Sequence, residues 1–389
     1  MSEQIPVNPI VLRWARQTAG YSRIEDVVIR INRKRITAEI IEEWEEGKSS
    51  PSYEQLERLA YEIYKRPLAI FFFPEPPEEE SPKQAFRTLP QQEIDLMEPH
   101  LVYLIRQAKA MQENLKEIFN GINPAAKKLC NDIKIRSSDS VSSVAIAVRK
   151  YLNIELRKQY AFNTTDEALK YWRSLLEEYG IFIFKDAFKD EECSGFCLYD
   201  KTFPIIYLNN SHYKIRQIFT LFHELAHLLF RTGGVDFRHN DFIQTLHGEN
   251  KLIEVFCNKF SGEFLVPTAD IKPQIQNKSI DDSLLSRLGK QFRVSREVIL
   301  RKCFDLGYVT SPFYEAKVAE WEKERSNRDD STSHGNYYLT QGAYLSGRYV
   351  ETVFSKYYQG VISKSQLADY FGIKEANVSK FEGYTLSRR

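Results

Sequence analysis

The sequence predicts an α+β fold, mainly α, and three observations carry that reading. Most of the 389 residues fall in runs whose apolar positions recur at helical spacing. Three short runs rich in β-branched and aromatic residues cluster between positions 181 and 210, with turn residues between them. Directly after them comes IRQIFTLFHELAHLLF, residues 215 to 230, with the length and apolar density of a buried helix.

Taken in order, residues 1–75 form a small all-helical unit. PIVLRWARQTAG is an amphipathic first helix ending at Gly20, and RIEDVVIRI is a short second one. ITAEIIEEWEEGKSSPSYEQLERLAYEIYKRPLAIFFF supplies at least two more. PEPPEEESPKQ, residues 74 to 84, reads as a linker, stiffened by its prolines and solvated by its charges. Residues 76–164 are read as this linker and a connecting helical region. Its longest run, LVYLIRQAKAMQENLKEIF, carries an apolar stripe that serves packing.

Residues 165–325 are the next predicted domain. DEALKYWRSLLEEYG is a helix ending at Gly180, followed by strands in IFIFKD, GFCLYD and PIIYL. Such a sheet can offer an edge to an extended peptide. The stretch from 231 to 248 reads as a polar loop holding Gly233, Gly234, His239 and His247. ENKLIEVFCNKFSGEFLVP, 249 to 267, reads as a second buried helix ended by Pro267. DDSLLSRLGKQFRVSREVILRKCFDLGYV, 281 to 309, has a helix–turn–helix rhythm and is read first as packing. SNRDDSTSHGN is a polar linker, and residues 326–389 form a C-terminal helical, helix-turn-helix-like domain.

The chemistry concentrates in His223-Glu224-Leu225-Ala226-His227. Positions i and i+4 share a helix face, so the two imidazoles converge on one point. Two imidazoles suit a zinc ion, and the flanking Glu224 carboxylate can take a proton from a water. This is the H-E-x-x-H pattern of zinc-dependent peptidases. The competing reading, two core histidines, leaves each needing a polar partner inside an apolar helix. A shared metal supplies that partner. Glu254 is the candidate third ligand, with Glu249 and Glu263 as alternatives. Asn258 follows Glu254 at i+4 and can hold a ligating histidine from behind. His239, His247, His212 and Tyr213 are candidates for a supporting or carbonyl-polarising role.

HELAH, followed by Glu254-Val-Phe-Cys-Asn258-Lys-Phe260 and a helix ending in Leu-Val-Pro267, resembles the ImmA/IrrE metallopeptidases. Their downstream motif is similar to E-x-E-A-N-x-F-A-A-x-L-L-M-P. Phe256 stands where that motif has its second glutamate, so this position departs. The resemblance implies a zincin-like core, zinc held by His223, His227 and Glu254, and Glu224 as catalytic base. GFCLYD and PIIYLNN resemble the family's strands before the metal helix. Residues 1–75 resemble a Xre/Cro-type helix-turn-helix domain, and the Arg66-to-Pro90 region resembles proteins that fuse the two modules. The resemblance implies a regulatory protease acting on a repressor, or on a toxin–antitoxin or defence partner such as a PIN-like ribonuclease.

Composition excludes a bulk electrostatic drive toward nucleic acid or membrane, since the net charge is +1. No apolar run is long enough to span a bilayer, and the N-terminus lacks the build of a signal peptide. Five scattered cysteines suit a reduced, cytoplasmic protein. The helix that would enter the major groove carries Glu39, Glu42, Glu43, Glu45 and Glu46, which phosphates repel. Candidate DNA contacts are Arg33, Lys34 and Arg35, and at the C-terminal end Lys374 and Lys380. Either helical module can instead dock a protein or a second copy. The rival function is therefore a helix-turn-helix regulator or antitoxin whose metal site is structural or sensory.

Overall fold

A computed structural model describes residues 4–33, 36–78, 97–237, 246–326, 342 and 344–386. Lys34, Arg35 and His239, and most of both predicted linkers, lie outside the described residues. The chain divides into two compact units, Met1–Lys109 and Ala110–Arg389.

The first unit is helical. Helices Pro9–Thr18, Ile24–Ile31, Ala38–Glu46 and Tyr53–Arg58 enclose Leu12, Val27, Ile41, Trp44, Leu56 and Phe71. Their starts are written into the sequence. Asn8 caps a helix that opens with Pro9, Thr37 caps the third helix, and Ser52 with Gln55 forms a capping box. One expectation is corrected here. Glu45 does not share the acidic surface of Glu39, Glu42, Glu43 and Glu46; it is buried. Its carboxylate accepts from Arg16 Nε at 2.7 Å and Nη2 at 2.9 Å. A bidentate cation is what makes a carboxylate tolerable in that core.

The second unit is built on a mixed sheet. Strands β1 (Phe182–Asp186), β2 (Cys193–Leu198), β3 (Ile205–Asn209) and β4 (Gly234–Phe237) lie in the order β1-β3-β2-β4. β1 runs parallel to β3; β2 is antiparallel to both β3 and β4. Strand β4 occupies part of the stretch read from sequence as loop. Four residues, Gly-Val-Asp-Phe, are too short to display a period of two, and only pairing with β2 reveals them.

Helix Lys214–Phe230 lies across this sheet, and helix Gly248–Leu265 packs beside it. Phe222 stacks on Phe264 with ring centroids 4.2 Å apart and meets Trp172 edge-on at 5.1 Å. Such pairs add about 0.5–1.5 kcal/mol each beyond the area they bury. Helices Asp282–Phe292 and Arg296–Asp305 turn Leu285, Leu288, Ile299 and Leu300 into the same core, the packing role expected for that segment. Gln159 ties three pieces together: its Nε2 donates to Leu265 O and Phe292 O, and its Oε1 accepts from Arg149.

Helices Gly347–Tyr358, Lys364–Phe371 and Val378–Leu386 gather around Phe354, Phe371 and Phe381. They are anchored to this unit by Arg348, which donates from its backbone N–H to Glu177 Oε2 and from Nη1 to Glu177 O. Tyr349 adds an edge-on contact to Phe184 of β1.

Candidate metal centre

Helix Lys214–Phe230 is buried continuously from Thr220 to Leu229, so polar groups on that stretch must find partners inside the protein. Two glycines let the sheet come close to it. A Cβ on Gly195 of β2 would lie 2.6 Å from Thr220 Cγ2, and one on Gly234 of β4 would lie 2.4 Å from the His227 ring. The strands therefore press directly on the helix, and β4 forms a wall against one imidazole.

The expected residues meet. His223 Nε2 and His227 Nε2 are 3.1 Å apart. Glu254, from helix Gly248–Leu265, places Oε2 3.3 Å from His223 Nε2 and Oε1 3.2 Å from His227 Nε2. Among the described residues these three buried side chains form the one group able to hold a metal ion. Asn258, one turn beyond Glu254, has its Oδ1 3.1 Å from His223 Nδ1. Since that oxygen only accepts, Nδ1 carries the hydrogen, which leaves Nε2 as the ring nitrogen that faces a prospective ion.

The spacing suits an ion. Donors about 2.0–2.1 Å from a tetrahedral zinc stand roughly 3.3 Å from one another. The three separations here are 3.1, 3.2 and 3.3 Å. Two nitrogens and a carboxylate are also a donor set that zinc favours.

Glu224 lies fully buried beside the donors, and among the described residues neither of its oxygens meets a conventional hydrogen-bond donor. The Cys197 thiol, on β2, also acts on this carboxyl. Burial lifts Glu224 to about 7 against the pull of His227 and His223. For Glu254 burial works the same way, but His227 and His223 outweigh it and bring the carboxyl down to about 2. Burial disfavours charge on His223, yet Asp236, Glu254 and Glu224 together raise it to about 9. Two buried acids thus take opposite behaviour, one firmly ionised and one ready to carry a proton.

Residues 176–304 match the Peptidase_M78 family model, the IrrE N-terminal-like domain. Comparison with curated proteins found no match. That family is of metallopeptidase type and zinc-dependent in general. The matched residues include His223, Glu224, His227, Glu254 and Asn258, and all four strands of the sheet.

The other sequence candidates fall outside the cluster. Glu249 is exposed in the first turn of its helix, while Glu263 is engaged by Lys302, Thr268 and Ser142. His247 is exposed at the helix start. His212 and Tyr213 stand at the opposite end of helix Lys214–Phe230, roughly 15 Å along its axis from His223. Arg33, Lys374 and Lys380 are exposed, away from the donors in sequence and outside the matched segment. Sequence reading missed Asp236 and the contact role of Gly234, because both lie in the stretch taken for a loop.

Proposed function

We propose that this chain is a zinc-dependent endopeptidase that cuts a peptide bond in a protein partner. The observation that carries the reading is the convergence of His223, His227 and Glu254 within 3.3 Å, beside the buried carboxyl of Glu224. His223, His227 and Glu254 would hold the ion, with Asn258 fixing the His223 ring. Bound there, zinc would polarise a peptide carbonyl and lower the pKa of a water toward about 7.

Glu224 takes the proton of the attacking water on a carboxylate oxygen. It then delivers that proton to the leaving amine nitrogen, so the carboxylate is regenerated. Strand β4 is an outer strand of the sheet and touches His227 through Gly234. An extended substrate adding to that edge would be held by backbone hydrogen bonds.

The partner we favour is a repressor, or a component of a toxin–antitoxin or defence pair such as a PIN-like ribonuclease. Five buried free thiols suit a reduced cytoplasmic setting. The rival reading, a helix-turn-helix regulator or antitoxin with a structural metal, draws on the exposed Arg33, Lys374 and Lys380 as phosphate contacts. Co-expression with the product of the neighbouring gene separates the two. Cleavage lost in Glu224→Gln supports the peptidase; a DNA mobility shift indifferent to that substitution, without cleavage, supports the regulator.

A further inference from the structure

Asp236 on β4 is buried, and among the described residues its side chain is held by Thr220 and Arg216 on the helix that bears the histidines. Its Oδ2 accepts from Thr220 Oγ1 at 2.8 Å. Arg216 Nη2 donates to Oδ1 at 3.1 Å and to Oδ2 at 2.9 Å, while Arg216 Nε donates to Ser194 Oγ at 3.1 Å. Arg216, Thr220, His223 and His227 follow at steps of four, three and four, so they share one helix face. Thr220 stands one turn before His223, roughly 5 Å along the axis. Two residues before Asp236 on the same strand, Gly234 lies against the His227 ring.

The pair is unequal. The Asp236 side chain is 5% exposed, whereas that of Arg216 is 34% exposed. Water screens the cation more than the anion, so the field reaching inward along the helix is negative. A negative field one turn from two imidazoles favours a cation between them.

We propose that Asp236 is a positioning residue for the metal centre, seating β4 on the histidine-bearing helix and supplying a buried negative charge that tightens cation binding. This rests on the metal-centre reading above. It separates charge from scaffolding, because the ion pair can be broken from either side. Asp236→Asn keeps the size and an acceptor for Thr220 but removes the charge. Arg216→Gln breaks the same pair and leaves the charge in place.

Zinc affinity of the full-length protein, measured by competition with a chelating dye, tests this directly. Asp236→Asn should weaken zinc by about tenfold or more, through loss of a nearby buried charge rather than of a bond to a ligand. Arg216→Gln should bind zinc as well as the unaltered chain or better, though its Tm without zinc should fall. Equal weakening in both variants, or no weakening in Asp236→Asn, would overturn the charge role. Should Asp236→Asn not fold, Arg216→Gln decides alone, and weakened zinc binding there would sink the inference. Failure of the unaltered chain to bind zinc would instead remove the metal centre itself, a result visible before any Asp236 variant is made.

Discussion

Asn258 accepts the Nδ1 hydrogen of His223 at 3.1 Å, from the turn that follows Glu254 on the same helix. One helix therefore carries both a proposed ligand for the ion and the group that orients a proposed ligand on its neighbour. Asn258→Leu keeps the volume and strands that imidazole hydrogen. Zinc affinity should drop by about 10- to 100-fold, as for other partners of ligating histidines. Asn258→Asp, which still accepts, should retain most of it. Dye competition on the two variants checks the order.

His223→Ala and Glu254→Ala should each abolish stoichiometric zinc, while Glu224→Gln should keep it at about one per chain. Mass spectrometry on protein purified without chelators reads the metal. Partner cleavage should be lost in all three variants. Finding zinc in His223→Ala would contradict the donor set.

Gly234→Ala is the smallest change that should disturb the site. The added carbon would sit 2.4 Å from the His227 ring, closer than carbon atoms tolerate, so the imidazole or β4 must shift. Zinc content should fall without loss of helical signal in circular dichroism. Gly262→Ala, where a Cβ meets nothing within 4 Å, is the matched control and should bind zinc normally.

Lys185 of β1 is buried, and burial, reinforced by Arg173 and Lys214, pushes its ammonium down to about 6. Between that value and the usual 10.4 or so, the unfolded chain holds a proton that the folded chain lacks. Stability contributed by this site therefore rises with pH across that window. Lys185→Met should raise Tm at pH 7 and flatten the dependence of Tm on pH from 7 to 9. An unchanged slope in thermal melts would show that the group stays solvated.

Much of this was legible in the sequence, and the limits are physical. The histidine-bearing helix and the helix of Glu254 announce themselves because burial on nearly every face leaves long apolar runs. Helical spacing then assigns His223, His227, Glu254 and Asn258 to compatible faces. Strand β4 stays hidden because its identity depends on pairing with β2, forty residues away in rough terms and invisible to local pattern. Asp236 was lost with it. Glu45 misled for a related reason: an acid on a helix reads as solvated until its distant arginine is seen, and Arg16 belongs to another helix. Contacts across elements, rather than propensities within them, are what local reading lacks.

The donors stand on two helices joined through β4 and a further stretch of chain, so an occupied centre would act as a crosslink. Stripping the ion leaves each helix its own hydrogen bonds and the Phe222–Phe264 and His223–Asn258 contacts between them, and removes only the crosslink. Because the donors belong wholly to the unit Ala110–Arg389, a chelator should lower the thermal stability of that unit. Metal supply would then set the lifetime of the unit that holds the proposed centre.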